Sequence, residues 1–134
     1  MADDVDFSVL TAAAHQAMSR AYAPYSHYPV GAAALTTDGR LITGCNVENA
    51  SYGLGQCAEN TLVGQLQLTG GGHLAAFTCV NAHGETIMPC GRCRQLLNEF
   101  AAETFAILTP EGVTDMAGIL PQAFGPADLG RVRQ

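Results

Sequence analysis

Lysine is absent, and all six basic residues are arginines. That removes Schiff-base chemistry on a lysine and the lysine of a phosphate-binding loop. Charge of either sign is scarce at 13% of residues, and the balance is −6. No basic patch of the kind a polynucleotide-binding surface needs is visible. The expected ligand is a small molecule that is not highly anionic. No apolar stretch approaches the length needed to span a bilayer. The start, Met1-Ala2-Asp3-Asp4, is acidic with no apolar run behind it, so no secretory signal is read there. The expectation is a cytoplasmic protein with neither a membrane nor a nucleic acid as partner.

What is present fits one compact domain spanning residues 1–134. A hydrophobic fraction of 48% beside so little charge suggests more apolar surface than a monomer of this size buries, as a subunit interface would explain. Five cysteines without an export signal read as metal ligands or buried thiols rather than a disulfide framework. Cys45 and Cys79 sit in apolar stretches that read as strands, where a thiol serves as a small core residue.

The spacing of Phe7, Leu10, Ala14, Ala17, Met18 and Ala21 predicts a helix over 6–21, capped by Asp6 and ended before Pro24. Val30–Thr36 and Leu41–Asn46 read as a hairpin turning at Asp38-Gly39. A loop rich in Asn, Ser and Gly follows, Asn46–Gly55. Cys57 opens a second helix, carrying Leu62, Leu66 and Leu68 and stopping at Gly70-Gly71-Gly72. Leu74–Asn81 is an apolar strand, His83–Pro89 a loop, and Cys90 to about Phe100 a third helix. Thr104–Thr109 reads as a strand and Met116–Leu120 as a short helix. This order predicts an α/β layered domain.

Two clusters carry chemistry: Cys57-Ala58-Glu59 and Pro89-Cys90-Gly91-Arg92-Cys93. Both follow loops and fall at helix starts, where free N–H groups and the helix dipole favour thiolates. Cys90 and Cys93 share one helix face, and Cys57 comes from another helix. Three thiols can hold zinc with its fourth position open to water, as in catalytic sites. Glu59 is the carboxylate adjacent to a ligand, able to move protons without binding the metal. A Cys-x-x-Cys pair alone also occurs in structural zinc and redox sites. A closed structural site needs a fourth ligand, and Cys45, Cys79 and the histidines are not suitably spaced. Zinc nucleobase deaminases have this layout: Cys or His, any residue, Glu, then Pro-Cys-x-x-Cys. The expected chemistry is therefore hydrolytic deamination.

Further segments carry a closer resemblance. Tyr25-Ser26-His27-Tyr28-Pro29-Val30-Gly31-Ala32-Ala33, Gly44-Cys45-Asn46-Val47-Glu48-Asn49-Ala50-Ser51-Tyr52-Gly53 and Leu120-Pro121-Gln122-Ala123-Phe124-Gly125 join the two cysteine clusters. Together they resemble the small, homotetramer-forming cytidine deaminases of pyrimidine salvage. The resemblance implies a three-layer α-β-α sandwich around a mixed sheet of about five strands, one zinc ion per subunit, and a nucleoside substrate. It implies that Asn46 and Glu48 bind the ribose 3′-hydroxyl, and that Glu59 and backbone groups at Ala58 and near Cys90 meet the base. Tyr28, where the family usually has Phe, would pack on the base, and Phe124 would reach the pocket of a neighbouring subunit in a homotetramer with shared active sites. The family often has Arg at the position of Asn60, touching the zinc-bound sulfurs. Here Asn60, helix ends or Arg94 would balance the thiolate charge. A blasticidin-S-type deaminase is the alternative within the same chemistry, and a zinc-stabilised interaction module is the alternative outside it.

Overall fold

An aspartate ahead of an apolar stripe starts the first helix, α1 (Phe7–Met18). The Asp6 carboxylate accepts the Ser8 N–H at 3.0 Å, satisfying one of the free donors of the first turn. The computed structural model describes the backbone of residues 5–133 and the side chains of 5–130, so the acidic start read at Met1–Asp4 lies outside the described residues. Leu10 and Ala14 of the stripe are buried. The helix stops short of Ala21. There the Ser19 hydroxyl donates to the Gln16 carbonyl at 2.6 Å, and Tyr22 pairs with Val47 in an isolated bridge.

The Asp-Gly turn forms as the sequence predicts. β1 (Gly31–Thr36) and β2 (Leu41–Cys45) pair antiparallel, with Gly39 at φ +90°. α2 (Ala58–Leu68) follows, then β3 (Leu74–Val80), α3 (Gly91–Phe100), β4 (Ala101–Thr109), β5 (Gly112–Thr114), α4 (Met116–Ile119) and α5 (Pro126–Arg133). The sheet has five strands in the order β2-β1-β3-β4-β5 and is mixed: β3 and β4 run parallel and the other pairs antiparallel. The parallel step is made through α3, as a crossover between parallel neighbours requires.

Strand alternation sorts the core into two layers. Ala33, Ala76 and Val80 pack with Leu10 and Ala14 of α1. Ala32, Ala34, Phe77, Cys79 and Ile107 face the other way, against Leu62 and Leu66 of α2 and Leu97 of α3. The result is helix, sheet, helix. Leu68, read as part of the α2 stripe, is 82% exposed. It lies two residues beyond Leu66, off the buried face. β5 and α5 had no counterpart in the sequence reading, because three residues are too few to show a period and α5 carries no apolar stripe.

Gly31 and Gly44 let the helices sit this close. A Cβ on Gly31 would lie 1.9 Å from the Ala14 carbonyl oxygen of α1, and one on Gly44 would lie 2.4 Å from the Ala58 carbonyl oxygen of α2. Gly64, on the solvent side of α2, has open space around it. Gly31→Ala and Gly44→Ala should each destabilise by about 1–3 kcal/mol or more. Gly64→Ala should stabilise by roughly 0.4–1 kcal/mol. Urea midpoints of the three variants check the contrast. Equal effects at the three positions would refute the packing argument.

Candidate active site

The site forms at one end of the sheet, where β1 begins and β2 and β3 end. Gly31 lies opposite both Cys45 and Val80 there. Cys57 is the N-cap of α2 and Cys90 the N-cap of α3. Cys93 lies in the first turn of α3. The three sulfurs all fall within 4.8 Å of one another. Among the described residues, no fourth His, Cys, Asp or Glu joins them within that distance. Tetrahedral zinc with Zn–S bonds of about 2.3 Å needs sulfurs about 3.8 Å apart, so small side-chain movements would seat the ion. The donor set fits zinc, with three soft thiols, none in a disulfide.

The loop before α3 is fixed by its own bonds. The Asn81 side chain accepts the N–H groups of His83 and Glu85 and donates to the Glu85 carboxylate. Ile87 N–H donates to the Cys79 carbonyl at 3.0 Å, laying the loop back along β3. Arg94 then donates to the carbonyls of Pro89 at 2.8 Å and Ile119 at 3.2 Å. It braces the backbone immediately before Cys90. No hydrogen bond to a ligand sulfur is seen from Arg94, and Asn60 donates to the Gln56 side chain at 2.6 Å. The positive charge felt at Cys57 is that of Arg92. Sequence reasoning had no means of ranking Arg92 above its neighbour.

Glu59, in the first turn of α2, is only 4% exposed. Burial pushes its carboxyl above the ordinary range, opposed by a hydrogen bond from the Cys93 thiol. Burial likewise raises Cys57, against the pull of Cys93 and Arg92, and raises Cys93, with the Glu59 charge adding to it. Cys90 is exposed and held below the usual thiol value, chiefly by the backbone N–H of Cys93.

A cleft of about 290 Å³ opens onto this cluster, and Tyr28, Asn46, Ala58, Glu59 and Cys90 line it. Cys79, read as a core thiol, is buried and also borders the cleft, its Sγ donating to the Ile87 carbonyl. Cys45, read the same way, is only partly buried. Asn46 accepts the Val30 N–H at 2.9 Å and donates to the Tyr28 carbonyl at 3.0 Å. Glu48 lines an adjoining hollow of about 320 Å³ instead. Its carboxylate accepts the N–H groups of Tyr25 and Ser26 and the Ser26 hydroxyl, which holds its pKa down. Ser26 borders both spaces and was missed as a site residue; the Tyr25-Ser26-His27-Tyr28 run was its signal. Phe124 does not line the cleft; it is 59% exposed beside Gln95 and Leu129.

Residues 6–109 match the model of the cytidine and deoxycytidylate deaminase zinc-binding region. The chain is 52% identical over 131 residues to the cytidine deaminase of Mycobacterium tuberculosis, covering 98% of each. The crystal structure of cytidine deaminase from M. tuberculosis superposes with a TM-score of 0.87 at 52% identity, over 91% of this chain and 99% of that one. The cytidine deaminase structure from M. leprae superposes with a TM-score of 0.86 at 55% identity, over 89% and 100%.

With Cys57 and Cys93 both raised, the metal-free site holds its protons at neutral pH, and metal must displace them. Zinc binding at pH 7 should release about two protons or more, and apparent affinity should rise as pH rises. Calorimetry in buffers of different ionisation enthalpy counts the protons. Release of fewer than about one would contradict the burial argument.

Proposed function

This chain belongs to the cytidine and deoxycytidylate deaminase family, and we propose that it hydrolyses cytidine and 2′-deoxycytidine to uridine and 2′-deoxyuridine, releasing ammonia, in pyrimidine salvage. One observation carries the reading: a buried carboxylate, Glu59, stands beside three thiols that cluster, among the described residues, without a fourth His, Cys, Asp or Glu in the same group. Cys57, Cys90 and Cys93 would hold one zinc ion per subunit, which when bound supplies Lewis-acid activation of water near neutral pH.

The remaining work falls to the chain itself. Glu59 takes a proton from the attacking water, whose oxygen bonds to C4 of the pyrimidine. It passes that proton to N3, then delivers the second proton to the exocyclic amine, and the C4–N bond breaks with loss of ammonia. A carboxyl with raised proton affinity suits both halves of that transfer. The backbone of Ala58 and groups near Cys90 meet the base, and Tyr28 packs on its face. Asn46 and Glu48 bind the ribose 3′-hydroxyl. Asn46 is supported by its place in the same cleft, and Glu48 by a carboxylate fixed in the next hollow.

Residues 1–134 act as one catalytic unit in this reading, within a cytoplasmic homotetramer that shares its sites. Support comes from the large apolar side chains left exposed, with Tyr28 at the cleft, Tyr25 and Tyr52 at the adjoining hollow, and Leu54 and Phe124 elsewhere. No helix among the described residues is long and apolar enough to cross a membrane.

Glu59→Gln should keep the fold and the zinc while lowering kcat/KM for cytidine by roughly 10²–10⁴. Uridine and ammonia release, with metal content assayed on the same sample, decides it. Turnover near that of the parent would rule out Glu59 as the proton carrier.

Phe124 supplies a second test. Dilution that dissociates the assembly should lower activity per subunit, and Phe124→Ala should raise KM by about tenfold without loss of zinc. Full activity in a monomer, measured by light scattering beside the assay, would refute the shared site.

A further inference from the structure

β2 is the outer strand of the sheet, with β1 on one side only. Alternate residues of such a strand turn their N–H and C=O groups away from the ladder, toward water or another chain. Cys45 is one of these residues, and its two outward groups are both taken by a single atom. The Thr61 hydroxyl accepts the Cys45 N–H at 3.0 Å and donates to the Cys45 carbonyl at 2.7 Å. Only a hydroxyl can serve as donor and acceptor from so small a side chain. The neighbouring Gly44 leaves room for this contact, since a Cβ there would lie 2.6 Å from the Thr61 oxygen.

The two ends of this contact lead directly to the site. Thr61 is in the first turn of α2, its N–H bonded to the Cys57 carbonyl at 3.2 Å, with Glu59 two residues earlier. Cys45 is followed by Asn46, which lines the cleft opposite and bonds to Val30 and Tyr28. A shift of β2 against α2 would therefore change the spacing between Glu59 and Asn46. We propose that Thr61 is a positioning residue that sets this spacing, so that a sugar hydroxyl held at Asn46 registers the base against Glu59. The inference rests on the proposed role of Asn46 toward the nucleoside sugar.

A contact that only braces the fold would lower activity on every substrate alike. One that sets the spacing also governs how much the sugar hydroxyl contributes to turnover. The experiment compares kcat/KM for cytidine and 3′-deoxycytidine in the zinc-loaded parent, Thr61→Val and Thr61→Ser. Thr61→Val keeps the shape of the side chain and removes both bonds to Cys45, together with the 3.1 Å hydroxyl contact to the Ala58 carbonyl within α2. It should cut the preference for cytidine by about tenfold or more, while Thr61→Ser holds that preference within about threefold of the parent. Amide exchange at Cys45 should accelerate in Thr61→Val by about tenfold or more, with the rest of the β1–β2 ladder unchanged. A Thr61→Val enzyme that is slower on both substrates with the same preference would overturn the proposal. If the parent does not deaminate cytidine, the functional reading fails, and the exchange data then decide the contact alone. Unchanged protection of Cys45 in Thr61→Val would overturn it in that case too.

Discussion

The convergence of two helix N-termini on one point is the constraint to which the rest of the structure answers. Cys57 caps α2 and Cys90 caps α3, and only with both helices starting at the same end of the sheet do three sulfurs come within 4.8 Å. Each helix is held there by a different device. α2 lies against β2 because Gly44 has no side chain to push it away. α3 is anchored by Arg94, whose guanidinium holds the carbonyls of Pro89 and Ile119. At its far end α2 is tied to the β1–β2 turn by Arg40, which donates to the Thr69 and Gly71 carbonyls. The first of these bonds satisfies the carbonyl of the α2 C-cap, Thr69, and the second fixes the glycine turn that follows it.

The same convergence sets the electrostatics. The buried Cys93 thiol, the partly buried Cys57 thiol and the buried Glu59 carboxyl are crowded together, and burial raises the proton affinity of all three. A bound cation would offset the crowding of these groups. Only one cysteine, the exposed Cys90, has its thiolate favoured, by the free N–H groups at the start of α3. The arrangement is geometrically ready for a metal but electrostatically incomplete without one. That is how metal affinity comes to contribute to folding free energy.

Legibility in the sequence tracked how local each cause was. Asp6, the Asp38-Gly39 turn and the helix-opening cysteines act through neighbours in the chain, and each forms where it was read. Leu68 was read as core from its residue type, yet it is exposed, because two residues beyond Leu66 is off the face that the helix turns to the sheet. β5 is held by its pairing with β4 rather than by a period of its own, and α5 carries no apolar stripe to read. At the site, the cysteine cluster and Glu59 were legible because metal chemistry restricts the residue types. The partners of Glu48, Arg94 and Thr61 were not, because a hydrogen bond between residues more than twenty apart, or one across a layer, leaves no trace in spacing.

The cleft walls are already committed to internal bonds, and this bears on how a substrate is selected. Asn46 has two amide donors and a carbonyl with two lone pairs, and one of each is used within the chain. Glu48 accepts three bonds from the Tyr25–Ser26 turn, against roughly four sites on a carboxylate. What remains is a single donor and single acceptor on Asn46 and about one acceptor site on Glu48, each fixed in direction by the bonds beside it. Such a wall cannot rearrange to suit a ligand with a different pattern of hydroxyls, and an unmatched ligand would leave polar groups unpaired at about 1–3 kcal/mol each. On the roles proposed for Asn46 and Glu48, selectivity for a sugar is then a property of the scaffold. It was set when the 25–30 segment folded against Asn46 and Glu48, before any ligand enters.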